Sequence, residues 1–182
     1  MEIKKCPQCG EAEMKKKVID HYHFLESGLD NVFLLKPEIA VCPRCGEEIL
    51  MLPEPSKLLE CLGKAIIMAP GALSAREIKF IRKNLFLKGN EFADLLGVNR
   101  GTVSRWENDE KSPEPPTDRL IRMIYASKLR EPETFYKLVE RFREEDSNLT
   151  KADLDYIVTV SESGFSYSCA PCRADRLQHI RG

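Results

Sequence analysis

The sequence predicts an α+β fold in three parts. A small β-rich module ending in a linker helix occupies residues 1–70, an all-α bundle 71–143, and a C-terminal extension 144–182. Three observations predict it. The phrases CPQCG, at Cys6 and Cys9, and CPRCG, at Cys42 and Cys45, bracket short apolar runs of strand-like composition. From Ile78 to Phe142 apolar residues recur at spacings of three and four, punctuated by Gly and Pro. An acidic, polar run at 144–148 then reads as a surface linker before a third pair, Cys169 and Cys172.

A chain of 182 residues with 42% hydrophobic content can bury one or two small cores. No run of about 18 apolar residues exists, and no hydrophobic stretch follows Lys4 and Lys5. Neither a membrane span nor a signal peptide is expected, and the expected location is the cytoplasm. The net charge of −1 conceals an asymmetry. Residues 1–73 hold 9 basic and 11 acidic side chains (−2), 74–130 hold 12 and 8 (+4), and 131–182 hold 7 and 10 (−3). A basic middle segment is the footprint of a module that neutralises phosphates.

The first two cysteine pairs fit metal chemistry. Tetrahedral zinc takes four thiolates, and two CxxC turns clamp it from opposite sides. Pro after the first Cys stiffens each turn, and Gly after the second can take positive φ, which lets backbone amides point at sulfur. The sequence therefore predicts one structural Zn2+ held by Cys6, Cys9, Cys42 and Cys45. Four protein ligands leave no open position for water, so a binding module is expected and not a metallohydrolase. Between the pairs, Val18–Phe24, Asn31–Leu35 and Glu38–Val41 read as short strands, with His21 and His23 on one face as solvent-facing or interface side chains. Ser56 reads as the N-cap of a linker helix from Lys57 to about Met68, with Cys61 as a small buried hydrophobe on it. Pro70-Gly71 marks the linker.

Ser74 and Glu77 form a capping box, and Ile78, Ile81 and Leu85 give the next helix its apolar face. In KGNEFADLLGVNRGTVSRWEN, from Lys88 to Asn108, Phe92, Leu95 and Leu96 make one apolar face, Gly97 breaks it, and Val103 and Trp106 reopen it. The pattern is helix, tight turn, helix. The second helix carries Arg100, Thr102, Ser104, Arg105 and Asn108 on its outer positions, with Asn99 at its start, and these side chains suit phosphates and base edges. Trp106 is expected to anchor the helix to its bundle. Beyond the prolines that end at Pro116, Thr117 opens a helix whose stripe is Leu120, Ile121, Ile124, Tyr125 and Leu129. Phe135, Leu138, Val139 and Phe142 mark another helix.

GVNRGTVSRWENDEKSPEPPTDRL resembles the Xre/Cro-type helix-turn-helix. A CPxCG pair, a second CxxC, a linker helix and this module together resemble the MqsA-type (YgiT-type zinc finger) antitoxins over roughly residues 4–130. The resemblance implies a zinc domain that binds and neutralises a ribonuclease toxin and a dimeric DNA-binding domain that represses its own operon on a palindromic operator. By motif, Arg105 is the position that inserts towards bases. Gly101 stands where the family has its other base-contacting residue, so Thr102 or Arg100 would take over that contact, and the operator is not transferable.

The family pattern ends before this chain does. An extra helix is expected around Thr150 to Val160, leading to Cys169 and Cys172. That pair supplies two ligands, not four, and is open to several readings: a second metal site with His179 and Cys61, pairing with a second subunit, a reversible disulfide, or free thiols in a tail. No Ser/His/Asp or Cys/His arrangement, phosphate-cradling Gly loop or paired carboxylate stands out, so an enzyme is not expected. The alternative to an antitoxin is a stand-alone zinc-containing transcription regulator responding to metal or redox state.

Overall fold

The computed structural model describes residues 5–11, 13–144, 154–161 and 164–171. Strands β1 (Lys15–Val18) and β2 (His21–His23) run into each other across a bend at Ile19 and Asp20, and β3 (Val32–Leu35) and β4 (Glu38–Val41) bend likewise at Lys36 and Pro37. One antiparallel ribbon results: β1 pairs with β4, β2 with β3. Backbone bonds from Ile19 N to Pro37 O (3.1 Å) and from Lys36 N to Asp20 O (3.0 Å) hold the bend. The strand expected over Val18–Phe24 is realised only at His21–His23; Val18 ends a separate strand, β1, and the two go to different sheets.

The first sheet has the order β1-β4-β5, with β5 (Glu48–Met51) completing a hairpin after β4. The second has the order β2-β3-β6-β7, where β6 (Leu154–Ser161) and β7 (Gly164–Pro171) come from the C-terminal extension. Strand β6 lies parallel to β3, with Val32 opposite Tyr156 and Leu34 opposite Val158. The helix expected around Thr150 to Val160 is corrected by this strand. Ile157, Val158, Thr159 and Val160 are four consecutive β-branched residues, stiff at χ1 and favoured on a pleated surface. Burial of Tyr156 and Val158 follows the period of two. Residues 150–153 lie outside the described residues.

Helix α1 (Pro55–Met68) packs its Leu58, Leu62, Ala65 and Ile66 into a core shared with the second sheet and the helices that follow. It starts at Pro55 with Glu54 as N-cap, two residues before the expected start. Proline at the first helical position needs no N–H partner and has its φ preset, which moves the boundary ahead of Ser56. The described helices are completed by α2 (Ala75–Asn84), α3 (Gly89–Leu96), α4 (Arg100–Glu107), α5 (Pro115–Leu129) and α6 (Pro132–Glu144). Among them, no helix is long and apolar enough to cross a membrane. The Ser74–Glu77 capping box on α2 is present in both directions. Helix α5 likewise starts on prolines, with Glu114 as N-cap rather than at Thr117.

The buried stripe of α5 is Asp118, Ile121, Arg122, Tyr125 and Ala126: of the predicted positions Ile121 and Tyr125 are buried, Ile124 and Leu129 pack half-buried against the core, and Leu120 is displaced from it. Leu120 is exposed, as is Leu95 on α3. The helix is rotated because a charged pair goes inside. Arg122 Nε donates to Asp118 Oδ1 at 2.6 Å, its Nη1 to the carbonyls of Ile66, Ile67 and Ala69 at 3.1, 2.9 and 3.0 Å, and its Nη2 to Gly71 O at 2.6 Å. Asp118 Oδ2 accepts from Leu73 N at 2.7 Å. One guanidinium thereby covers the carbonyl end of α1 and the linker behind it, where unpaired C=O groups and the negative end of the helix dipole favour a cation.

Tyr125 from the same stripe packs against Gly63 of α1. A Cβ at Gly63 would fall inside the van der Waals envelope of the Tyr125 ring, under 3.0 Å from Oη, Cζ and Cε1. An alanine in a helix interior normally stabilises by about 1 kcal/mol over glycine. Here overpacking against a fully buried ring should outweigh that and leave Gly63→Ala destabilised by about 1–3 kcal/mol. Urea denaturation checks the sign, and a stabilised variant refutes the close approach.

Candidate metal centre and helix-turn-helix surface

Topology alone brings the two cysteine turns together. The second turn is the loop of the β4–β5 hairpin, closed by Cys42 N to Glu47 O at 2.8 Å. The first precedes β1, whose Lys15 lies opposite Val41, so both turns lie at one end of the three-stranded sheet. They are built alike. Gly10 N donates to Cys6 O (2.8 Å) and Gly46 N to Cys42 O (3.0 Å), with the glycines at φ +71° and +77°. Those left-handed values are where glycine has no steric penalty. An Arg44–Glu11 ion pair ties one turn to the other.

The Sγ atoms of Cys6 and Cys45 are 3.6 Å apart, those of Cys9 and Cys42 3.7 Å, and all four ligand atoms lie within 4.8 Å of one another. A disulfide would need roughly 2.05 Å. Four sulfurs at about 2.3 Å from a tetrahedral ion would be separated by roughly 3.8 Å, close to what these pairs show. The backbone amide of Cys45 and then that of Arg44 hold the Cys42 thiol below its ordinary pKa, while, against the backbone amide of Glu47, hydrogen bonds with the neighbouring thiols, Cys42 first, push Cys45 up to about 12. The four predicted cysteines therefore lie close enough to hold one metal ion, and an all-thiol donor set with these spacings fits zinc. His21 and His23 are not part of the group. The ring of His23 stacks on Phe33 with centroids 4.8 Å apart, and its Nε2 is 2.8 Å from Asp30 O.

The second site is the outer surface of α4. Gly97, in the left-handed region at φ +66°, ends α3, and the Asn99 side chain accepts from Gly101 N at 2.7 Å to cap α4. A Cβ at Gly101 would come 3.2 Å from that capping oxygen, a tight contact that a glycine avoids. Val103 and Trp106 face inward and are buried, while Asn99, Arg100, Ser104, Arg105 and Asn108 are exposed and Thr102 is half-buried. Arg105 Nη2 rests 3.3 Å from Thr102 Oγ1, and Asn108 Nδ2 lies 3.4 Å from Ser104 Oγ. The six side chains singled out in the sequence thus lie along one helix and its two caps.

Besides the buried Val103 and Trp106, an ion pair that was not visible in the sequence fixes α4 in place. Arg82 on α2 grips Glu107 with two bonds, Nε to Oε1 at 2.6 Å and Nη2 to Oε2 at 2.9 Å, while its Nη1 donates to Leu87 O at 2.9 Å. Such a bidentate pair sets orientation as well as distance. The spacing of Arg82 and Glu107 across two turns gave no periodic signal.

Cys169 lies on β7 in extended backbone, opposite Tyr156, with its Sγ 4.0 Å from Ala65 O on α1. Burial raises its thiol pKa. Cys172 and His179, expected as its possible companions, lie outside the described residues. Cys61 is half-buried on α1 rather than enclosed, and burial pushes its thiol up to about 11.

The fold and these sites define a protein with a four-cysteine cluster on a small sheet and a helix-turn-helix surface on a helical bundle, the second sheet and the helices sharing one core. A family model described as the antitoxin component of a bacterial toxin-antitoxin system, MqsA, matches residues 4–136. The chain belongs to this antitoxin family. No curated protein matches it.

Proposed function

We propose that this chain is a DNA-binding antitoxin that carries one structural zinc, represses its own operon and holds a toxin through its zinc module. The observation that carries the DNA-binding part is the division of α4: its apolar residues are buried and its polar and basic ones, Arg100 and Arg105 first, point outward together. In the major groove Arg105 would donate two hydrogen bonds to guanine O6 and N7. Arg100 or Thr102 would read a neighbouring edge, and Asn99, Ser104 and Asn108 would hold phosphates or edges beside them. Modules of this kind read half-sites about one helical turn apart, which calls for a homodimer on a palindrome. Membership of the antitoxin family supports the toxin-binding part and favours it over a stand-alone metal or redox regulator.

Arg105→Ala should lose about 1–3 kcal/mol of discrimination for the chain's own promoter, with little change on random duplex. Titration of both DNAs at one fixed salt concentration reads this out. Equal losses on both would reduce Arg105 to a phosphate contact. The toxin part is tested by co-purifying full-length protein with the product of a neighbouring reading frame that arrests growth; absence of any such product or complex removes it.

A further inference from the structure

The C-terminal hairpin builds a groove that neither the metal centre nor α4 uses. It has a volume of 740 Å³, within the roughly 300–1,000 Å³ range of ligand sites. Its floor is the α1 stripe Lys57, Glu60, Cys61 and Lys64. One wall is Gly164 to Tyr167 of β7, and the other is Leu129 and Glu131 at the α5–α6 junction. Strand β6 contributes only its last residue, Ser161, so the groove opens on the side of β7 away from its partner strand.

That side is the outer edge of the four-stranded sheet, and no described strand pairs with it. Native edges of this length are normally blunted by charge, by an early proline or by a bulge. Strand β7, GFSYSCAP, has no charged residue, its one proline is its last residue, and its register with β6 runs unbroken from Ser161↔Gly164 to Leu154↔Pro171. Backbone donors and acceptors therefore line a groove whose wall also offers the half-buried rings of Phe165 and Tyr167.

The charges in the groove say what would complement it. Lys57 pairs with Glu54 at 2.8 Å, and Lys64 pairs with Glu131. Glu60 makes no ion pair with any described residue, which leaves one exposed carboxylate beside an apolar wall. We propose that this groove receives an extended polypeptide segment of a partner protein. The segment adds a strand to the edge of β7 and presents a basic side chain to Glu60 and an apolar one to Phe165 and Tyr167. Main-chain bonds to the edge supply affinity, and alternate side chains dropping against α1 supply specificity. Strand β7 lies beyond the residues the family model matches, so the edge belongs to the extension while the floor and far wall lie within the matched part, and the proposal does not rest on the antitoxin reading.

The test is selection of displayed random octapeptides on immobilised full-length protein, followed by synthesis of the enriched sequence. Enriched peptides should share a basic residue at fixed spacing from an aromatic or aliphatic one. Glu60 is exposed, so Glu60→Lys should keep the melting temperature, weaken the synthetic peptide by about tenfold and select acidic residues instead. N-methylation of alternate peptide amides should abolish binding by removing the ladder to β7. Failure to enrich any motif on the full chain overturns the proposal. That includes the case in which a second copy, seen by sedimentation, or residues 172–182 already fill the groove. Equal affinity for the Glu60→Lys protein or for the N-methylated peptide overturns it as well.

Discussion

Replacing Cys42 with serine should strip the metal and unfold the β1-β4-β5 sheet while leaving the helical part standing. Serine is a poor zinc ligand, and Cys42 is a buried member of the sulfur cluster, so the site loses a ligand at its inner side. The magnitude follows from what else holds this sheet. Its strands are four residues each; its buried residues, Ile39, Ala40 and Met51, are absent from the hydrophobic cluster that joins the second sheet to the helices, and half-buried Leu50 of β5 packs against that cluster. Zinc bound by a small structural site contributes on the order of 10–16 kcal/mol, comparable to or above the whole stability of a typical domain. Three short strands with so few buried side chains have nothing of that size to replace it. The expected result is zinc content falling from about one ion per full-length chain to near zero. Amide protection should vanish over residues 13–18 and 38–51. Emission from Trp106, the chain's single tryptophan and a buried residue of α4, should stay unchanged. Retention of zinc with full protection would remove the metal assignment, and collapse of the Trp106 signal would show that the two parts fold as one unit.

How much of this was legible in the sequence depends on whether local spacing or tertiary contact decides the outcome. The cysteine turns were legible because Cys, Pro and Gly at fixed offsets dictate a turn before any packing occurs. The identical closure at Gly10 and Gly46 follows from that grammar. The α3–α4 turn was legible for the same reason, since Gly97 is needed at positive φ and Val103 and Trp106 are spaced to face one core. Strand β6 was misread as helix although its β-branched run argued for strand. The reason it stands where it does is a partner more than 120 residues away: Asn31 O accepts from Tyr156 N at 2.8 Å, and Asn31 Nδ2 donates to Leu154 O at 2.6 Å. No window of sequence carries that pairing. The same pairing gives the extension a structural role, because the buried Tyr156 reaches across to hydrogen-bond Glu77, the capping residue of α2. Arg76 beside it pairs with Asp30 at 2.6 Å. The strand that completes the N-terminal sheet thus also ties that sheet to the start of the helix-turn-helix bundle. The rotation of α5 was illegible for a different reason. A hydrophobic stripe is the ordinary choice for a helix face, and putting Asp118 and Arg122 inside succeeds only because the end of α1 presents carbonyls there.

That buried pair carries the second large prediction, that Arg122→Ala costs about 3–5 kcal/mol. Both side chains are about 1% exposed, so water cannot replace the lost bonds. Removing the guanidinium leaves the Asp118 carboxylate with only Leu73 N and the Gly71 carbonyl without the donor it had, while Ile66 O keeps Ala69 N at 3.2 Å. Arg141 Nη1 still donates to Ile67 O and Ala69 O, at 3.2 and 2.8 Å, which limits the damage to part of the helix end. Arg122→Lys should recover little, because an ammonium has no planar fork to span the carboxylate and four carbonyls at once. Asp118→Asn should cost less than Arg122→Ala. It removes charge but keeps an oxygen for Leu73 N, and the guanidinium retains its carbonyls. Against a typical total of about 5–15 kcal/mol, the alanine variant would approach its unfolding threshold at growth temperature. Urea titrations of the three variants test the ordering, and a loss below about 1 kcal/mol for Arg122→Ala would mean the network contributes no more than a surface pair. Arg122 bonds α5 to the end of α1, beside the Tyr125 Oη to Leu59 O contact of the same helix pair.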